Sequence, residues 1–175
     1  MISLVSMMWA TALFFALAGA VRGWRGEITA AAGVILGFFA ILQFDNLLRG
    51  SLYLLLTNEL TFLLQTVFYL GVVVTAYRSR MAFQPDNTAR GKRSAFFGAL
   101  AGFFNGYMIA GSIWYFLDVN RYPFAWLVSA PAEPSASFQS LGVMPVVLLG
   151  GGLAGNGALL ALAVLVILAV VILVT

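Results

Sequence analysis

The sequence predicts an all-α polytopic membrane protein with five transmembrane helices, on three observations. First, the 175 residues are 62% hydrophobic and only 9% charged, whereas an ordinary soluble domain carries about 25% charged residues. Too few polar side chains are present to cover a compact core, and the mean hydropathy is +1.01. Second, the apolar residues fall into runs near the roughly 20 residues that a spanning helix needs. Third, the charged residues gather between those runs.

The first run covers about residues 2–21 and carries no charge. It contains Ala18-Gly19-Ala20, which resembles a signal-peptidase site. A secretory signal opens with a basic region, however, and the first charge here is Arg22, so the segment is expected to be retained. The second run covers about 28–44. It is roughly 25 Å long at about 1.5 Å per residue, which favours a nearly upright helix. The third covers about 60–77, the fourth about 95–117, and the fifth, the most hydrophobic, about 157–175. Residues 1–117 thus form a four-helix membrane core, 118–156 a long connection, and 157–175 a fifth transmembrane helix.

The connections differ in charge. Residues 22–27 make a tight turn with Arg22 and Arg25. Residues 45–59 carry Arg49 and leave room for a short surface helix over 47–56. Residues 78–94 carry Arg78, Arg80, Arg90, Lys92 and Arg93 against the single acid Asp86. The long connection has only Arg121 as a cation. Because cytoplasmic loops concentrate Lys and Arg, the first and third connections are expected inside, the N-terminus outside and the C-terminus in the cytoplasm.

The long connection holds Pro123, Pro131, Pro134 and Pro145, and its Pro-, Ser- and Ala-rich stretch 129–140 favours extended backbone. Trp114, Tyr115, Tyr122, Phe124 and Trp126 crowd its start. Trp and Tyr favour the headgroup level, so this region is expected along the outer interface. Residues 141–149 are apolar but too short to span, which fits a re-entrant segment or one packed on a partner. The glycines of 150–157 break structure before the last helix. They are no phosphate loop, since no Lys-Ser/Thr follows and a lipid-buried helix does.

Composition also limits chemistry. The chain has no histidine and no cysteine. Thiolate metal sites, iron–sulfur clusters, disulfides, a thiol nucleophile and the commonest haem ligand and general base are therefore excluded. No cofactor, metal or enzymatic reaction is expected. The net charge of +3 sits in short loops between apolar runs, which points to membrane orientation and not to nucleic acid.

Within the membrane the clearest pattern is glycine spacing. Gly19 and Gly23 lie four apart, as do Gly33 and Gly37, and the fourth span carries Gly98, Gly102 and Gly106 in series. Such spacing lines one helix face with glycine and lets another backbone approach closely. That neighbour is either a partner subunit, including a second copy, or another helix of the same bundle. Asn105, in mid-span, needs a hydrogen bond, for which Gln65 and Thr66 are candidates. Glu27 opens the second helix, where a carboxylate suits the helix dipole, with Arg22 or Arg25 as its ion-pair partner. No predicted span holds Asp, Glu, Lys or Arg in its interior. This weighs against ion-coupled transport, as does the lack of an evident inverted repeat. Arg78, Arg80, Arg90, Lys92 and Arg93 suit anionic lipid headgroups or an acidic partner face. The readings that remain are an accessory subunit or scaffold among other membrane proteins and lipids, or a channel or export component. In the latter, Asn105, Gln65 and Gln43 would line a polar path.

Two stretches carry a family resemblance. The first is Ala18-Gly19-Ala20-Val21-Arg22-Gly23-Trp24-Arg25-Gly26-Glu27 between two apolar helices. The second is Arg93-Ser94-Ala95-Phe96-Phe97-Gly98-Ala99-Leu100-Ala101-Gly102-Phe103-Phe104-Asn105-Gly106, running on to Phe116-Leu117-Asp118. Over about residues 1–118 the chain resembles the colicin V production protein family (CvpA-like membrane proteins). It departs from that pattern where Gly26 separates Arg25 from Glu27 and where Asn105 replaces a frequent basic residue. The resemblance implies a multi-pass bacterial inner-membrane protein without established enzymatic chemistry, linked to toxin production or secretion and to envelope homeostasis.

Overall fold

The computed structural model describes residues 3–51, 55–82, 91–150 and 158–174. Four long helices dominate: α1 (Leu4–Arg22), α2 (Trp24–Arg49), α3 (Asn58–Ala82) and α4 (Lys92–Val119). Each is long and apolar enough to cross a membrane. Three short elements follow: α5 (Ala136–Gln139), a 3₁₀ turn (Ser140–Val143) and α6 (Pro145–Gly150). The last helix, α7 (Ala158–Val174), is wholly apolar with 17 residues. At about 25 Å it is shorter than the roughly 30 Å hydrocarbon core, and the first and last residues expected of the fifth span, 157 and 175, lie outside the described residues. Among the described residues there is no strand. The chain is an all-α, multi-pass membrane protein.

The helices alternate in direction. Gly19 of α1 meets Gly98 and Gly102 of α4, while Ala12, further back along α1, meets Gly106; α1 is therefore antiparallel to α4. Gly33 of α2 meets Ala76 of α3 and Gly37 meets Val72, so these two are antiparallel as well. Helices α2 and α4 are the most covered, with α1 packed on α4 and α3 on α2. Helix α7 lies on α2, burying Leu160 and Val164. The core between the spans is aromatic: Tyr69 meets Phe38 and Phe116 edge-on at ring separations of 6.4 and 5.7 Å.

Several expectations are corrected. The turn expected over 22–27 shrinks to Gly23 alone, whose φ of +86° only glycine adopts readily. Helix α2 consequently starts at Trp24, and it runs on to Arg49 past the expected end at residue 44. Both Glu27 and Asp45 thereby fall inside it, 1% and 6% exposed. The expectation of spans free of ionisable residues thus fails at the second span. The Pro-rich connection is not uniformly extended. Ser135 caps α5, accepting from the Phe138 amide, and Ser137 ties α5 to α1 through a 2.8 Å hydroxyl contact with Ser3. Residues 141–149 fold as the 3₁₀ turn and α6, burying Met144 and Val146 and seating Pro145 on Gly111 of α4. Trp114 and Tyr115, expected at the interface, are buried in the core, whereas Trp126 stands 83% exposed.

Candidate functional site

The basic turn between α1 and α2 folds against the start of α4, so polar groups from all four spans converge near one end of the bundle. Glu27 of α2 is their centre. Its Oε2 accepts from Asn105 Nδ2 of α4 at 3.0 Å and from the Tyr77 hydroxyl of α3 at 3.1 Å. Its Oε1 faces Arg22 Nη1 of α1 at 3.6 Å. Asn105 Nδ2 also donates to the Glu27 carbonyl at 3.0 Å, and the Arg22 guanidinium lies 4.7 Å from the centroid of the Tyr77 ring. A buried carboxylate is costly in a low dielectric unless paired and hydrogen-bonded; here two neutral donors and one cation surround it. Two acceptors in this cluster, Glu27 Oε1 and Asn105 Oδ1, are buried without a hydrogen bond.

A second polar cluster lies toward the other end of the bundle. Asn120 Nδ2 donates to Gln65 Oε1 at 2.6 Å, and Gln65 Nε2 donates to Asp45 Oδ1 at 2.7 Å. Asn120 reaches Gln65 because α4 ends in a reversal in which Arg121 and Tyr122 adopt φ of 59° and 52°, a region costly for residues other than glycine. The reversal is held by Tyr122 N–H donating to the Leu117 carbonyl at 2.8 Å. It also brings the Tyr122 hydroxyl under Trp114 Nε1, at 3.1 Å. Burial, with the Asp118 carboxylate nearby, pushes the Tyr122 phenol up to about 12.

The glycine residues singled out in the sequence all pack within the chain. A Cβ on Gly98 would overlap the Gly19 carbonyl oxygen, one on Gly102 the Phe15 carbonyl oxygen, and one on Gly106 would lie 2.8 Å from Ala12 Cα. Gly23 sits against the Ser94 hydroxyl, and Gly33 and Gly37 receive α3. The seam between α1 and α4 is therefore filled by these two helices and not by a partner. Asn105 finds Glu27, not the expected Gln65 or Thr66; Thr66 Oγ1 is buried without a hydrogen bond. Lys92 and Arg93 open α4 and Arg78 lies near the end of α3, all exposed. Arg80 belongs to the last turns of α3, and Arg90 lies outside the described residues. The sequence reading missed Asp45, Tyr77 and Asn120. The signal for Tyr77 was its position one residue before the basic Arg78, level with the turn that holds Arg22. Among the described residues no group of three carboxylates assembles that would hold a metal ion.

Compared with protein-family models, with curated proteins and with solved structures, the chain matches none.

Proposed function

We propose that this is a non-enzymatic membrane protein that serves as a scaffold or accessory subunit of a larger membrane assembly. The observation that carries the reading is the four-span cluster on Glu27. Its polar side chains are spent on holding α1, α2, α3 and α4 to one another, so they make a clamp and not a lined path. Asn105 and Gln65, which a polar path would share, belong to separate clusters near opposite ends, and Gln43 is exposed on α2. The outward faces of α1 and α3 remain apolar, with Phe14, Leu17, Val67 and Phe68 all more than half exposed, and suit lipid or neighbouring subunits. The resemblance to CvpA-like proteins supports placement in a bacterial inner membrane. The cation distribution supports an orientation with Arg22, Arg25, Arg78, Lys92 and Arg93 at the cytoplasmic face and α7 as a fifth crossing. Purification of the tagged protein in mild detergent tests the reading. Recovery at fixed stoichiometry with other membrane proteins is expected, and a lone monomer would contradict it.

A channel or export component is the second reading. The buried acceptors Glu27 Oε1 and Asn105 Oδ1 favour it, since intramembrane ionisable groups commonly mark solute paths. Solute flux in liposomes that Asn105→Leu abolishes would establish it.

A further inference from the structure

Helix α7 packs on α2 without covering the whole face between α2 and α4. The result is a groove of about 810 Å³, lined along its length by Ile28, Phe97, Ala101 and Ile167 and opening at one end beside Trp24 and Arg93. The wall is almost entirely hydrocarbon; the polar groups gather at the mouth. Arg93 lines it there, and Lys92 precedes Arg93 in the first turn of α4; both are exposed. Arg25 lies over the Trp24 ring, 5.8 Å from its centroid. Among the described residues no carboxylate pairs with Arg25, Lys92 or Arg93; the nearby Glu27 is occupied by Arg22, Tyr77 and Asn105. Among the described residues, three exposed cations thus stand at or beside the mouth of an apolar slot without a carboxylate partner, with an indole at the level where Trp favours the headgroup region.

The dimensions select the occupant. The groove follows α4 from Arg93 to Phe104, about 16 Å at about 1.5 Å per residue. One leaflet of a bilayer with a roughly 30 Å hydrocarbon core is about 15 Å deep. A helix from a partner would continue past that depth and would not need cations at one end. A soluble phosphate would have no use for the apolar slot. A lipid places its acyl chain along the wall and its phosphate among the cations, the arrangement found in basic pockets between spanning helices.

We propose that this groove is a binding site for an anionic glycerophospholipid, with Arg25, Lys92 and Arg93 holding the headgroup and the α2–α4–α7 cleft holding an acyl chain. The site needs only that the bundle lie in a membrane; it does not depend on the scaffold reading. The test is native mass spectrometry of the full chain released from nanodiscs of equimolar phosphatidylglycerol and phosphatidylcholine. The chain should retain phosphatidylglycerol at least about tenfold over phosphatidylcholine. Arg25→Gln and Arg93→Gln should each lower that preference about fivefold, as expected for about 1 kcal/mol per cation at an anionic surface. Ala101→Leu, which fills the slot without altering charge, should reduce retention of both lipids, and excess inorganic phosphate should leave phosphatidylglycerol in place. Equal retention of the two lipids, or an undiminished preference in the arginine variants, would overturn the proposal. So would displacement by free phosphate. Arg93 is exposed, so Arg93→Gln decides the matter even if Ala101→Leu fails to fold.

Discussion

Glu27 is held by a cation, an amide and a phenol from three other helices, so its neighbours lose their partners when it is removed. Glu27→Leu strands Arg22, Asn105 and the Tyr77 hydroxyl together. It should lower stability by about 2–4 kcal/mol, less than the roughly 3–5 kcal/mol for a fully buried ion pair because Arg22 is 41% exposed. Asn105→Leu should cost about 1–3 kcal/mol and Tyr77→Phe about 1 kcal/mol. Denaturation in detergent micelles measures all three, and the double variant Glu27→Leu/Tyr77→Phe should cost less than the sum, because the two groups share one bond. At the other end, the Tyr122 phenol is raised above its ordinary value of 10.0 to about 12. Folding therefore favours its neutral form, and this stabilisation is intact below pH 10 and fades as pH rises toward about 12. A stability–pH profile should show that decline in the parent protein and not in Tyr122→Phe. The need of Asn105 for a partner was legible in the sequence, but the partner was not. Placing the start of α2 at residue 28 left Glu27 outside the membrane, and the single-residue break at Gly23 carries no sequence signal beyond glycine itself.

At the scale of elements, the seam between α1 and α4 depends on the absence of side chains. Gly19, Gly98 and Gly102 each sit where a Cβ would strike the facing backbone. Gly98→Ala or Gly102→Ala must push two helices apart and should destabilise by about 1–3 kcal/mol. Gly71 of α3 has nothing within 4 Å of an added Cβ. Gly71→Ala should therefore be neutral or stabilise by up to about 1 kcal/mol, since alanine is the better helix former. Unfolding of the three variants side by side checks the contrast; equal effects would mean that the α1–α4 seam is absent. Glycine spacing showed which faces pack closely, because four-residue spacing aligns residues on one face. It could not show which helix would meet them, since that is settled by how the chain turns at Gly23 and by which spans pair across the bundle. The short helices over 136–150 were hidden for a related reason: proline and serine counts favour extended structure locally, whereas Pro145 on Gly111 and Ser137 on Ser3 stabilise the compact form through tertiary contact.

For the whole molecule, the four long apolar helices and a shorter fifth were readable because lipid requires long, mostly uncharged helices and tolerates few substitutes. The buried polar clusters were not, because hydropathy averages over windows in which one Glu or one Asp is outvoted. The bundle gathers Arg22, Arg25, Arg78, Lys92 and Arg93 at one end and leaves the Asp45–Gln65–Asn120 cluster toward the other, so the two ends must face opposite sides of a membrane. The natural chain has no cysteine, which makes every introduced thiol a unique reporter. The most direct measurement is labelling of Lys92→Cys, Ser51→Cys and Ala132→Cys in intact cells with a membrane-impermeant maleimide, before and after permeabilisation. The thiols at 51 and 132 should react at once and the thiol at 92 only after permeabilisation. Reaction of all three from the same side would contradict a membrane-spanning bundle, and the reverse pattern would contradict its orientation.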